Sequence, residues 1–285
     1  FKQIGEIRTV GLESGLSGNR INIKLARANL GGALVNWIEP QEGNSVFHDF
    51  HARYGDGAMA LVHRFPGREA LNREVERLEE LGIDRLEEIR ITGDEVDLRF
   101  VLMETEEKGK YTLGFTWGEK GFQNPLDPEV NNRHSMKINQ YAFAIRDPEP
   151  VSGFWERIGL PPLEISHPEL GKPRYYGEPV DHQLIQGWQK HGSVAYEWCI
   201  PVKPPIVYED HIRKHGEGIH HLAFTVEDMD RVLDDYTSRG FVVSMGGTWG
   251  EEGEPGSGRY EYIDLEEAGG RTAPDRKEEV GNQRW

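Results

Sequence analysis

The sequence holds a single cysteine, Cys199, in 285 residues. That excludes an internal disulfide and any CxxC metal or redox motif, fits a reducing compartment, and leaves Cys199 as a small buried hydrophobe of a strand. Long apolar runs are missing as well. None approaches the roughly 18 residues of a membrane span and no signal-peptide pattern opens the chain, so a soluble, cytoplasmic protein with no membrane partner is expected. Positive charge is scarce, 33 Lys and Arg against 49 Asp and Glu, for a formal net charge of -16. No basic stripe with interleaved aromatics offsets this, which argues against nucleic acid as a partner. What is present is ordinary for a globular protein: 36% hydrophobic and 10% aromatic residues can build a sizeable core, and the length suits two units or one large one.

Self-similarity organises the chain. VNWIEP, from Val35 to Pro40, lines up with YEWCIP, from Tyr196 to Pro201, at an offset of 161, the distance from Trp37 to Trp198. The same offset carries RYGDGAMALV, from Arg53, onto KHGEGIHHLA, from Lys214, pairing Gly55 with Gly216 and Gly57 with Gly218. A shorter repeat sits inside the second copy. INQYAFAIRD, from Ile138, matches IHHLAFTVED, from Ile219, at an offset of 81, pairing Ala142 with Ala223, Phe143 with Phe224, Asp147 with Asp228 and Gly159 with Gly240. Two large modules, each of two half-modules, follow from these spacings.

Each half-module opens on a strand: Tyr141, Phe143 and Ile145 alternate with Gln140, Ala142 and Ala144. A helix comes next. Met229, Val232, Leu233 and Tyr236 recur at helical spacing before Gly240, as do Leu71, Val75, Leu78 and Leu81 before Gly82. EEIRITG, VDLRFVLME, YTLGFTW, FVVSMG and RYEYIDLE read as the strands after these helices, giving β-α-β-β-β units and mixed sheets with helices on one face. The expected organisation is a first module over residues 1–121, an Asn- and Pro-rich linker over 122–135 and a second module over 136–285. Counting 161 back from Gln140 falls before residue 1, so the first module is expected without its opening strand and helix in this sequence, whether trimmed or incomplete by nature.

These half-modules, with IEP then GDG in one copy and CIP then GEGIHHLAF in the other, resemble the vicinal oxygen chelate superfamily, from about Phe1 to about Gly270. Its members include glyoxalase I, methylmalonyl-CoA epimerase, extradiol dioxygenases and bleomycin-binding proteins. The resemblance implies an α/β (α+β) fold of tandem βαβββ half-modules with curved mixed sheets, and a U-shaped cleft holding one divalent metal ion (Zn, Ni, Co, Mn or Fe). Carried over by position, the ligands fall on Gln140, Glu197 and His221. A carboxylate, an imidazole and an amide oxygen suit such ions. Strand alternation sends His220 and His221 to opposite faces, so only one is expected to line the cleft. In the first module the offset replaces Glu197 and His221 by Asn36 and Ala60, so no metal is expected there. The fourth ligand, in the family a Glu of the last strand that often transfers the proton, has only weak counterparts in Asp275 and Glu278, in a charged tail.

Of the other histidines, His48, His51, His134, His182, His191, His211 and His215 stand in polar contexts and are expected to be solvated, whereas His63 aligns with Phe224 at a core or cleft-edge position. The glycines of GTWGEEGEPGSG read as a loop near the cleft mouth and not as a phosphate-binding motif. The resemblance implies a metal-dependent lyase or isomerase acting on a small carbonyl or hydroxy-carbonyl substrate through a metal-stabilised enediolate. The alternatives are an Fe(II)-dependent extradiol-type dioxygenase, for which Gln140 breaks the two-His, one-Glu arrangement, and a metal-free small-molecule binding or resistance protein. Modules could pair within the chain or between the chains of a homodimer.

Overall fold

The computed structural model describes residues 8–93, 96–120 and 134–266. The chain divides into two compact units, Phe1–Gly55 with Met59–Lys137, and Asp56–Ala58 with Ile138–Trp285. The first carries β1 (Arg8–Ser14), β2 (Arg20–Leu30), β3 (Ala33–Pro40), α1 (Val46–Tyr54), β4 (Ala60–Arg64), α2 (Arg68–Glu80), β5 (Arg85–Gly93), β6 (Val96–Met103), α3 (Glu106–Gly109) and β7 (Thr112–Lys120). The second carries β8 (Lys137–Ala144), α4 (Pro148–Arg157), β9 (Glu164–Ser166), β10 (Leu170–Tyr175), β11 (Glu178–Pro179), β12 (Gln183–His191), β13 (Val194–Lys203), α5 (Val207–His215), β14 (Gly218–Thr225), α6 (Met229–Thr237), β15 (Val242–Trp249) and β16 (Gly258–Asp264). None of the helices described is long and apolar enough to cross a membrane.

The sequence repeat reappears as a repeat of elements. An offset of 161 superposes the bounds of α5 on those of α1, and it carries β13 onto β3, α6 onto α2 and β16 onto β6 to within a few residues. The helices form where the pattern places them. Leu71, Val75 and Leu78 are the buried stripe of α2, and Val151, Phe154 and Trp155 that of α4. Asp147 and Asp228, paired by the shorter repeat, cap α4 and α6 by accepting from the backbone N–H of Glu149 and Arg231, both at 3.0 Å. Gly82, Gly159 and Gly240 follow α2, α4 and α6 with φ of 76°, 96° and 91°, a left-handed turn that glycine takes without strain.

The first unit forms one mixed sheet in the order β3-β2-β1-β5-β6-β7-β4, in which β4 and β7 run parallel. The second forms two, β14-β8-β13-β12-β9 and β11-β10-β15-β16. Between them lies a buried cluster of Ala144, Leu184, Cys199, Ile206, Val207, Tyr208, Ile212 and Met245, with Tyr175, Tyr260 and Tyr262 packed against it. On the opposite parity of the same strands Phe143 stacks on Trp198, ring centroids 4.0 Å apart and planes 13° from parallel. Such a pair contributes about 1 kcal/mol beyond its area. Parity along β8 and β13 therefore sorts large aromatics to one face and small or polar residues to the other, where room is left for a site.

Candidate metal centre

Glu197 lies in the middle of β13, opposite Ala142 of the parallel strand β8 and Trp188 of the antiparallel strand β12. Only 4% of it is exposed. Gln186, one rung along β12, donates its Nε2–H to Glu197 Oε1 at 2.6 Å. The other oxygen, Oε2, faces His221 Nε2 of β14 at 3.6 Å, too far for a hydrogen bond. His221 is likewise buried. Burial drives the Glu197 carboxyl up to about 7, against the opposing pull of hydrogen bonds from Gln186 and Cys199, and the same burial holds the His221 imidazole down at about 3.

Tyrosines close the other side. Tyr262 of β16 places its hydroxyl 3.2 Å from His221 Nε2 and 2.7 Å from the hydroxyl of Tyr208 of α5. Burial raises both phenols well above their ordinary range, so they stay neutral. Cys199 is fully buried on the Glu197 face, as a small hydrophobe of the core should be.

Of the three ligand positions read from the sequence, the structure brings Glu197 and His221 together. Gln140 is half-buried and opposite Ala195, so it shares the Glu197 face but sits one rung away, about 7 Å along the strands. No described contact joins its amide to the other two. Asp275 and Glu278 lie outside the described residues, as does most of the linker expected at 122–135. Among the described residues no three of His, Cys, Asp and Glu converge on one point. A metal here would be held by Glu197 and His221, with an amide or phenol oxygen beside them. The donor chemistry fits. A buried carboxylate and a buried neutral imidazole, with no Lys or Arg described against either, form a pocket short of positive charge, and a divalent ion supplies it.

Two expectations are corrected. His220 does not turn away from His221: its Nδ1 lies 2.8 Å from that of His221, and both rings meet Tyr208 and Tyr262. The Cβ atoms of an extended strand still alternate, so it is the ring ends, through the Nδ1 atoms, that come together. Nor are His182, His211 and His215 solvated. His182 and His211 are buried, and His215 is 5% exposed in its side chain with Nε2 3.2 Å from Glu266 Oε1. For α5 the signal was available, because Val207, Tyr208, His211 and Ile212 recur at helical spacing and are its buried stripe. Gln186 was missed because β12 was not recognised as a strand. Tyr262 stood in plain alternation with Tyr260.

Residues 139–259 match the family model described as Glyoxalase/Bleomycin resistance protein/Dioxygenase superfamily. Among solved structures, a triple mutant of 4-hydroxymandelate synthase from Streptomyces coelicolor is similar in fold at a TM-score of 0.50 and 14% identity, over 90% of this chain and 84% of that one. A xylose isomerase-like TIM barrel/4-hydroxyphenylpyruvate dioxygenase fusion protein matches at a TM-score of 0.44 and 16% identity, over 82% of this chain and 34% of that one.

Proposed function

We propose that this chain, whose residues 139–259 match the model of a superfamily made up largely of metal-dependent enzymes, is a divalent-metal-dependent lyase or isomerase acting on a small carbonyl or hydroxy-carbonyl substrate. One observation carries the reading: Glu197 and His221, from strands of different half-modules, face each other at 3.6 Å in the buried interior, with no Lys or Arg against either among the described residues. A divalent ion held there supplies Lewis acidity toward a carbonyl or hydroxyl oxygen.

The chain's own residues do the rest. Gln186 fixes Glu197 Oε1 and leaves Oε2 turned to His221. Tyr262, a neutral phenol beside His221 Nε2, offers an O–H donor for a substrate oxygen. Gln140, one rung away on the same face of β8, is the third ligand this reading calls for. Isothermal titration of chelator-treated protein with Mn, Co, Ni or Zn tests the reading: wild type takes up about one equivalent, and Glu197→Ala and His221→Ala lose it. No uptake by wild type would remove the proposal.

A second reading, an Fe(II)-dependent ring-cleaving dioxygenase, is favoured by the uneven modules, with donors in the second and Asn36 and Ala60 at the matching positions of the first. The likeness in fold to 4-hydroxymandelate synthase extends over both. Oxygen uptake by iron-loaded protein with catechols separates the two readings.

A further inference from the structure

His221 can hold an ion through Nε2 only if that atom carries a lone pair, which requires the ring proton on Nδ1. The Nδ1 atoms of His220 and His221 are 2.8 Å apart, so one of them donates to the other. If His220 donates, the His221 proton sits on Nε2, directed at the Tyr262 hydroxyl and Glu197 Oε2 at 3.2 and 3.6 Å, and no lone pair faces Glu197. If His221 donates, the lone pair does face Glu197, and the His220 proton moves to its own Nε2, a buried atom without a hydrogen-bond partner among the described residues. The His220 ring is 1% exposed and is held edge-on by Tyr208, centroids 5.1 Å apart at 69°, and by His211, 4.8 Å apart at 84°. It cannot swing away, and its Nδ1 stays aimed at His221.

Resting on the reading of Glu197 and His221 as ion ligands, we propose that His220 is a positioning residue: its Nδ1 accepts the Nδ1–H of His221 and so fixes the tautomer that presents the Nε2 lone pair. Without an ion, the Tyr262 hydroxyl oxygen accepts a hydrogen bond from Nε2–H and the His–His hydrogen bond runs from His220 to His221. Loading the site reverses it. The arrangement differs from the usual carboxylate or carbonyl behind a ligating imidazole, and the buried Nε2–H that it creates makes the loaded state depend on the packing of α5.

The test uses the full chain and Zn(II). Long-range proton–nitrogen NMR reads the His221 tautomer directly: Nε2–H in chelator-treated protein, Nδ1–H after one equivalent of zinc. Titration calorimetry is then run on wild type, His220→Leu and His220→Asn, with circular dichroism to check folding. Leucine removes the acceptor, and zinc affinity falls about 10- to 100-fold. Asparagine places an amide oxygen near the Nδ1 position and restores most of it. Wild-type affinity in His220→Leu, or a zinc-loaded wild type in which His221 Nδ1 bears no proton, overturns the proposal while leaving the metal site standing. A wild type that binds no zinc overturns the site reading and this inference with it. Should His220→Leu fail to fold, His220→Phe, which also lacks an acceptor at the Nδ1 position, takes its place in the titration.

Discussion

Two buried carboxylates, one in each unit, receive opposite treatment. Glu88 of β5 is 3% exposed and is met by Arg99 twice, both at 2.9 Å, by Arg90 at 2.9 Å and by Arg85 at 3.1 Å. Burial alone would raise its carboxyl, but hydrogen bonds from Arg99 and Arg90 win and hold it at about 2. Glu197 is as deeply buried, meets an amide and a neutral imidazole, and is raised to about 7. The first is a closed electrostatic knot that serves the fold. The second is left without compensating charge, and an ion is what would supply it. Burial alone does not mark a site; burial without a counter-charge does.

The sharpest way to break the comparison is to neutralise each carboxylate. Glu88→Gln strands three guanidiniums against a neutral amide and should destabilise the protein by about 3 kcal/mol in urea unfolding. Glu197→Gln in chelator-treated protein should leave stability unchanged or raise it, since the amide still accepts from Gln186. Equal losses from the two variants would end the distinction.

The pH dependence of stability in metal-free protein should show the same contrast. Glu88 has a folded value below its unfolded one, so its contribution is present above about 4.5 and is lost as pH falls toward about 2. Glu197 has a folded value above its unfolded one, so it removes stability as pH rises from about 4.5 to about 7, on the order of 3 kcal/mol in wild type and none in Glu197→Gln. Urea midpoints across pH 4 to 8 check the second window.

Smaller effects compare the helix starts. Asp147→Ala and Asp228→Ala should each lose about 1 kcal/mol. The first unit has Gly67 at the matching N-cap, with no side-chain cap and nothing within 4 Å of a built Cβ. Gly67→Asp should therefore gain a few tenths of a kcal/mol, read as a rise in Tm.

What was legible in the sequence is what periodicity and offset encode. The repeated elements and the helices with their glycine stops follow from spacing, whereas Glu197 and His221 were singled out by the family resemblance. What was not legible depends on direction within a strand or on packing against it. Gln140 has the right parity, but its rung along β8 is set by the register with β13, which no offset within the chain reveals. Alternation does not reveal that the His220 and His221 rings meet through their Nδ1 atoms, because that depends on side-chain torsions. His211 reads as polar in isolation and is buried because one whole face of α5 turns inward.

That helix has a consequence for how the protein could change. The connection from β13 to β14 is mostly α5, and in crossing between the strands that carry Glu197 and His221 it places the Tyr208 hydroxyl against that of Tyr262. Any insertion that widened the separation of Glu197 and His221 would also drag this phenol out of place. The aperture of the centre and the polarity of its wall are thus tied to one segment, and neither can be altered without disturbing the other.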